Sequence, residues 1–136
     1  LVAASGRRDS IKGFGQDYDT PDGSCVRDYI HINDLCDAHI LGLERIWSDK
    51  GSGAFNLGNG QGFSVQEVID AVRRVSGREF NVIYDQRRAG DPARLVADSS
   101  KAQEVLGWSA QYGDLDTIIE HAWKWERKSS VFSPQS

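Results

Sequence analysis

The sequence is short of the residues that mark several classes of protein. It has no methionine, not even an initiator, and only two cysteines, Cys25 and Cys36. Two cysteines are too few for a disulfide scaffold and suit a reducing compartment, so we expect a cytoplasmic protein. No run of about eighteen apolar residues exists, so the sequence predicts no membrane-spanning helix. We interpret the missing initiator as the sign of an excised or processed piece.

Positive charge is also scarce. The chain has 16 Lys and Arg against 20 Asp and Glu, a formal net charge of -4. This balance does not favour nucleic acid or an anionic membrane as a partner, but it allows a small anionic ligand held by a few arginines. The three histidines, His31, His39 and His121, lack the paired spacing of metal ligands, and no C-x-x-C motif occurs. The sequence therefore predicts no metal site.

Residues 26–32 concentrate chemically active side chains. If this stretch is a strand, side chains two positions apart share a face, so Arg27, Tyr29 and His31 lie on one side. Nothing in the pattern gives His31 a chemical role, and we expect it to orient or pack against its neighbours. The alternative for the whole stretch is an ordinary strand with Arg27 in solvent.

A second arginine lies in the loop of residues 87–92. Guanidinium groups are permanently charged and bind phosphate oxygens in a fork, so Arg27 and Arg88 predict a diphosphate site if they converge. Asp91, three residues after Arg88, could bind a sugar hydroxyl or orient the arginine. The alternative is a surface ion pair that contributes little.

Short strands alternate with helices along the rest of the chain. Residues 1–4 resemble the last turn of a helix ended by Gly6. Strands are expected at residues 10–15, 54–57, 80–84 and 94–97. Helices are expected from Asn33 or Asp34 to about Trp47, from the Ser64–Glu67 capping box to Gly77, from a similar box at residues 100–103, and from about Asp114. So few short strands predict a small mixed α/β lobe over residues 1–128, not a complete doubly wound sheet, with a flexible tail at 129–136.

The glycine loop at residues 58–62 follows a predicted strand and precedes a helix, as dinucleotide-binding loops do. Its glycines have the spacing Gly-x-Gly-x-Gly, whereas the phosphate fingerprint needs the third glycine one position later. The sequence therefore does not predict a dinucleotide site in this loop.

Five short motifs, taken in chain order, resemble the C-terminal part of the UDP-glucose 4-epimerase family, which belongs to the extended short-chain dehydrogenases/reductases. They are Gly6-Arg7-Arg8-Asp9-Ser10, Val26-Arg27-Asp28-Tyr29-Ile30-His31, Asn56-Leu57-Gly58, Arg87-Arg88-Ala89-Gly90-Asp91 and Leu106-Gly107-Trp108. Single motifs also occur in related nucleotide-sugar enzymes, but the combination is more specific.

The resemblance implies an enzyme that interconverts UDP-glucose and UDP-galactose through a 4-keto intermediate and a bound NAD. In such a family the C-terminal lobe holds the UDP-sugar, whereas NAD is bound by an N-terminal Rossmann lobe, which lies outside this chain. That lobe and a second copy of the full-length protein, in a homodimer, are the expected protein partners.

The resemblance also implies roles for particular residues. Arg27 and Arg88 would bind the diphosphate, Asp91 would meet the ribose or its neighbour, and Tyr29 would line the nucleotide pocket. The main chain from Lys12 to Phe14 would contact the uracil, and Val65 would pack nearby.

The catalytic pair of the family, a tyrosine followed four positions later by lysine, is missing. The residues four beyond the tyrosines of this chain are Asp22, Asn33, Arg88 and Asp116. We therefore expect no catalytic residue here and no activity from the chain alone. Two alternatives stay open: a related nucleotide-sugar dehydratase, decarboxylase or epimerase, and a stand-alone sugar-nucleotide-binding module.

Overall fold

The computed structural model describes the backbone of residues 1–132 and the side chains of residues 1–128. In chain order its elements are β1 (Ser10–Phe14), β2 (Val26–Arg27), α1 (Ile32–Trp47), β3 (Phe63–Ser64), α2 (Val65–Ser76), β4 (Asn81–Asp85), β5 (Arg94–Leu95), α3 (Ser100–Leu106) and α4 (Leu115–Phe132). None of the described helices is long and apolar enough to cross a membrane.

The strands form two small sheets. β1 pairs in parallel with β4, with Ser10 opposite Asn81 and Phe14 opposite Asp85. β2 lies between an antiparallel neighbour, β3, and a parallel neighbour, β5. These sheets and the helices around them make the small mixed α/β lobe that the sequence predicts.

Two apolar clusters hold the helices in place. The first packs Ala71 and Val72 of α2 against Leu115 and Ile119 of α4. The second joins α1 to α3 around Trp108, which is only 2% exposed. A buried indole N–H needs a partner, and Nε1 of Trp108 donates to the carbonyl of Asp34, 2.8 Å away. Each helix pair is therefore held by side chains from distant parts of the sequence.

The capping box at the start of α2 is confirmed. The Ser64 hydroxyl accepts from the backbone N–H of Glu67 at 3.0 Å, and the Glu67 carboxylate accepts from that of Ser64 at 2.6 Å. Gly77 ends the helix at φ 62°, in the left-handed region that glycine enters without a steric penalty. The side chains that form both caps are therefore local, and the start of α2 is further held by Asp22, which accepts from the Ser64 hydroxyl.

The predicted turn at the amino end is also present. Gly6 has φ 81°, and the N–H groups of Gly6 and Arg7 donate to the carbonyls of Ala3 and Val2 at 3.1 and 3.2 Å. This pair of bonds is the Schellman motif that closes a helical turn.

The predicted strand over residues 26–32 is wrong. β2 ends at Arg27, and α1 begins at Ile32 with His31 as its N-cap. Nδ1 of His31 accepts from the backbone N–H of Asn33 at 3.0 Å, so an imidazole takes the capping role predicted for Asn33 or Asp34. Because the chain leaves the ladder after Arg27, Arg27, Tyr29 and His31 do not share one face of a strand.

Three smaller predictions about secondary structure also differ from the structure. Residues 54–57 have no strand partner within the described part of the chain. The capping box predicted at Ser100 is wrong, because the N-cap is Ser99 and the Ser100 hydroxyl donates to Asp98 instead. Helix α4 continues to Phe132 and so includes the first four residues of the predicted tail, whereas residues 133–136 lie outside the described residues.

Candidate functional site

Arg27, at the end of β2, is half-buried and firmly held. Nη1 donates to the carbonyls of Val26 and Pro92 at 2.7 and 3.0 Å, and Nη2 forms an ion pair with Asp91. The two side chains are 22% and 25% exposed, so the pair is partly desolvated, unlike a surface ion pair. The structure therefore brings together two of the predicted ligand residues.

Arg88 lies in the exposed loop after β4 and stacks on an aromatic ring. The centre of its guanidinium is 3.8 Å from the centroid of the Phe14 ring. Phe14, Lys12 and Arg88 line one groove of about 550 Å³, together with Arg8 and Asp9. Stacking occupies the face of a guanidinium and leaves its N–H edge available for an anion.

Lys12 has a second neighbour at the rim of this groove. Its Nζ lies 3.3 Å from Oδ2 of Asp85, on the paired strand β4. The pKa of Asp85 is lowered, first by the backbone N–H of Gln86 and then by Lys12. The lining of the groove thus contains three cationic side chains and the carboxylate of Asp9, and one of the cations, Lys12, also pairs with Asp85.

One tight turn connects the Arg88 groove to the Arg27–Asp91 pair. The backbone N–H of Asp91 donates to the carbonyl of Arg88 at 3.2 Å. From this turn Arg88 reaches the ring of Phe14 on β1, while Asp91 reaches Arg27 on β2. Arg88 therefore lies at one end of this turn and Arg27 contacts its other end through Asp91, but Arg27 is not among the residues that line the groove beside Arg88.

Tyr29 and Val65 lie beside β2. Neither of them is among the residues that line the groove next to Arg88. The carbonyl of Tyr29 accepts from Nδ2 of Asn59 at 3.1 Å. Burial raises the pKa of the Tyr29 phenol, Cys25 adds to this, and Arg27 opposes it. The backbone N–H of Val65 donates to the carbonyl of Cys25 at 3.0 Å. Both residues are held close to the Arg27 strand but apart from Arg88.

The glycine loop at residues 58–62 does not fit a dinucleotide phosphate. The backbone N–H of Asn59 donates to Oδ1 of Asp28 at 3.0 Å, and those of Gln61 and Gly62 donate to Oδ1 of Asn59 at 3.0 and 3.4 Å. A phosphate cradle needs such N–H groups to be unoccupied. These three N–H groups of the loop instead donate to the chain's own side chains.

His31 belongs to a ring cluster that sequence reasoning missed. Its Nε2 lies 2.9 Å from Nδ1 of His121 on α4, and the Tyr112 ring stacks on it with centroids 4.1 Å apart. Because Nδ1 of His31 accepts from the α1 backbone, its proton resides on Nε2 and is donated to His121. Burial lowers the pKa of His31, His121 lowers it further, and Asp34 opposes this. A neutral His31 thus links two helices, and no sequence spacing relates residues 90 positions apart.

No family model matches the chain. It is 52% identical, over 94% of its length, to the UDP-glucose 4-epimerase of Halalkalibacterium halodurans, and it covers 38% of that protein. A solved structure of a UDP-glucose 4-epimerase superimposes with a TM-score of 0.87 at 55% identity, over 95% of this chain and 39% of that one.

The chain is similar to part of the UDP-glucose 4-epimerases. The epimerase of Bifidobacterium longum, solved in complex with NAD⁺ and UDP, agrees with a TM-score of 0.84 at 40% identity, over 94% of this chain and 38% of that one. The predicted resemblance and the predicted fold class are therefore confirmed. The chain spans less than two fifths of the length of these epimerases.

Proposed function

We propose that this chain is the C-terminal, UDP-sugar-binding part of an NAD-dependent UDP-glucose 4-epimerase. The full-length protein would interconvert UDP-glucose and UDP-galactose through a 4-keto intermediate. The observation that carries the proposal is the turn of residues 88–91, which places Arg88 over Phe14 and Asp91 against Arg27.

The two arginines can serve a diphosphate in complementary ways. Three of the five N–H groups of Arg27 are engaged with Val26, Pro92 and Asp91, so two remain for ligand oxygens. Arg88 is fixed in its plane by the Phe14 ring and presents its N–H edge. A planar, pre-oriented donor loses less side-chain freedom on binding than a mobile one.

The remaining proposed ligand residues surround these arginines. Asp91 is placed to accept from a ribose hydroxyl with the oxygen that Arg27 does not occupy. The main chain from Lys12 to Phe14 would contact the uracil, and Tyr29 and Val65 would close the pocket beside β2. No catalytic residue is assigned to this chain.

The proposed covering for the outer face of α1 is an N-terminal Rossmann lobe, which would also hold NAD. Ile40, Leu43, Ile46 and Trp47 are exposed on α1, and Trp47 is 79% exposed. A contiguous apolar patch of this kind marks an interaction surface. The full-length protein is further proposed to be a cytoplasmic homodimer, and both cysteines are free thiols, which suits a reducing compartment.

Substitution of the arginines tests the binding site. In the full-length protein, Arg27→Ala and Arg88→Ala should each weaken UDP binding by roughly 2–5 kcal/mol, because each removes a cation that would be desolvated against the diphosphate in the complex. Titration calorimetry with UDP measures this. Arg78→Ala, which removes an exposed arginine outside the groove, is the matched control. Unchanged UDP affinity in both site variants would refute the diphosphate assignment.

Product analysis tests the reaction. UDP-glucose, UDP-galactose and UDP-N-acetylglucosamine are each incubated with the full-length protein and the products separated. A 4-epimer supports the proposal, whereas a dehydrated or decarboxylated product supports a sister enzyme. A binding module without chemistry would give no product, and the coding sequence upstream of Leu1 would then lack both a glycine fingerprint and a Tyr-x-x-x-Lys pair.

A further inference from the structure

Asp28 lies between Arg27 and Tyr29, and its carboxylate joins segments that are far apart in the sequence. Oδ1 accepts from the backbone N–H of Asn59 at 3.0 Å, and Oδ2 accepts from that of Ala97 at 3.1 Å. Asn59 belongs to the loop that leads into β3, and Ala97 follows β5. Because β3 and β5 are the two neighbours of β2, one side chain fastens both of them to the strand that carries Arg27.

The ladder between β2 and β5 needs this support. It contains the two pairs Val26–Arg94 and Arg27–Leu95, and parallel pairing is weak per residue. Beyond one end, the N–H of Val26 donates to the carbonyl of Ala93 at 2.8 Å. Beyond the other end, the bond from Ala97 to Asp28 replaces a further backbone rung. Without the bond from Ala97 to Asp28, the short strand β5 would lose its support at this end.

β5 in turn fixes the position of the Arg27–Asp91 pair. Asp91 and Pro92, which both contact Arg27, come directly before β5 in the chain. We propose that Asp28 is the positioning residue of the nucleotide site, holding β5 and the turn of residues 88–91 against β2 so that Asp91 meets Arg27. The inference rests on the proposed function for the identity of the ligand.

Gly58 makes room for this carboxylate. A Cβ atom added at Gly58 would lie 2.0 Å from Oδ2 of Asp28, far inside van der Waals contact. Any larger residue at position 58 must therefore displace the carboxylate. This gives a way to move Asp28 without changing its charge.

Asp34 provides a matched control, because it uses its carboxylate in the same way at another place. It is 1% exposed and accepts from the backbone N–H groups of Gln111 and Tyr112 at 2.9 and 3.1 Å. These bonds join α1 to the loop before α4 and do not involve β2 or β5. Loss of Asp34 should lower stability without affecting the Arg27–Asp91 pair.

The test uses Asp28→Asn in the full-length protein. An amide can accept one of the two N–H groups but turns a donor toward the other, so either Asn59 or Ala97 is released. We expect UDP affinity to fall about tenfold, the effect of losing a hydrogen bond to a charged group. In an Arg27→Ala background the same substitution should have a smaller further effect, because the part of the loss that Asp28 causes through Arg27 is already gone. Asp34→Asn should leave UDP affinity of the folded protein unchanged.

A second readout does not depend on UDP. Release of β5 should loosen the adjoining loop, so trypsin should cleave after Arg87 or Arg88 faster in Asp28→Asn than in the parent protein or in Asp34→Asn. Mass spectrometry of early digestion products identifies the site. If Asp28→Asn does not fold, Gly58→Ala takes its place, with Gly113→Ala as control because a Cβ there has no neighbour closer than 4.0 Å.

The outcomes separate the two proposals. Cleavage at Arg87 or Arg88 that is no faster, or a loss of UDP affinity that adds fully to that of Arg27→Ala, overturns the role of Asp28. Faster cleavage together with unchanged UDP affinity in Arg27→Ala supports the positioning role and refutes the proposed ligand.

Discussion

Helices α1 and α2 both carry apolar faces, but the described residues cover them to very different extents. α2 buries Ile69, Ala71 and Val72, and its cluster is closed by α4. α1 has Asp34 and Ala38 as its buried residues, while Ile40, Leu43, Ile46 and Trp47 remain exposed. The described residues therefore leave the apolar face of α1 open, and the proposed N-terminal lobe would cover it.

The two helices also begin differently. α2 starts with a hydroxyl and a carboxylate from its own first turn, Ser64 and Glu67. α1 starts with the imidazole of His31, which is oriented by His121 and Tyr112 from the end of the chain. The side chains that cap α2 are its own, although the Ser64 hydroxyl also donates to the distant Asp22. The cap of α1 is an imidazole oriented by a distant helix, so the two helix starts should respond differently to pH.

The largest contrast is expected from the same substitution on the two helices. Ile69→Ala, at a position 3% exposed, should lower the free energy of unfolding by about 2–4 kcal/mol because it leaves a cavity. Ile40→Ala, at a position 53% exposed, should change it by less than about 0.5 kcal/mol in this chain. Urea unfolding at low protein concentration measures both. Equal losses would mean that α1 is already covered and would break the comparison.

The exposed face of α1 should also make this chain associate with itself. Leu43→Lys combined with Ile46→Lys puts two like charges on the face, so the 136-residue chain should become monomeric, as measured by sedimentation. In the full-length protein the same pair should instead destabilise the fold, because the charges would lie against the N-terminal lobe. A chain that is monomeric before substitution would contradict the prediction.

A smaller effect is expected at the cap of α2. Ser64→Ala removes the acceptor for the N–H of Glu67 and also the hydroxyl that donates to Asp22, so it should cost at least about 1 kcal/mol of unfolding free energy. Ser100→Ala is the control, because the Ser100 hydroxyl bonds to Asp98 and caps no helix. The contrast between local and tertiary helix starts weakens if the two serines prove equivalent in thermal unfolding.

The smallest effect is a pH dependence of the start of α1. The pKa of His31 is lowered from its ordinary value of 6.5 by burial and by His121, so the folded state disfavours the proton that the unfolded state accepts. The stabilisation from neutral His31 is complete above pH 6.5 and declines as the pH falls from there through the lowered pKa. Protonation would also remove the acceptor that caps Asn33.

Unfolding midpoints at pH 8 and pH 5.5 detect this dependence, and His31→Asn, which keeps a capping side chain but cannot be protonated, should flatten it. Ser64→Ala should leave the slope unchanged. A parent protein that gains stability on acidification through this range would show that the sign is wrong.

Local patterns predicted the parts of this fold that depend on neighbouring residues. The Ser64 capping box and the glycine stops at Gly6 and Gly77 all rest on side chains within a few positions. The strand predicted over residues 26–32 failed because the imidazole of His31 starts a helix there, and its orientation comes from α4. Residues 54–57 have a strand pattern, but a strand also needs a partner, which no local pattern provides.

The candidate site shows the same distinction between what local sequence predicts and what tertiary contacts decide. Residue types alone marked Arg27 and Arg88 as suited to a diphosphate, because a guanidinium has one charge state and one geometry wherever it lies. The nucleotide sugar was implied only by the family resemblance. Only the tertiary structure decided that Asp91 pairs with Arg27, that Arg88 stacks on Phe14, and that Asp28 joins Asn59 to Ala97. Such contacts link residues that are tens of positions apart, and sequence spacing carries no information about which distant segments a carboxylate or an aromatic ring will meet.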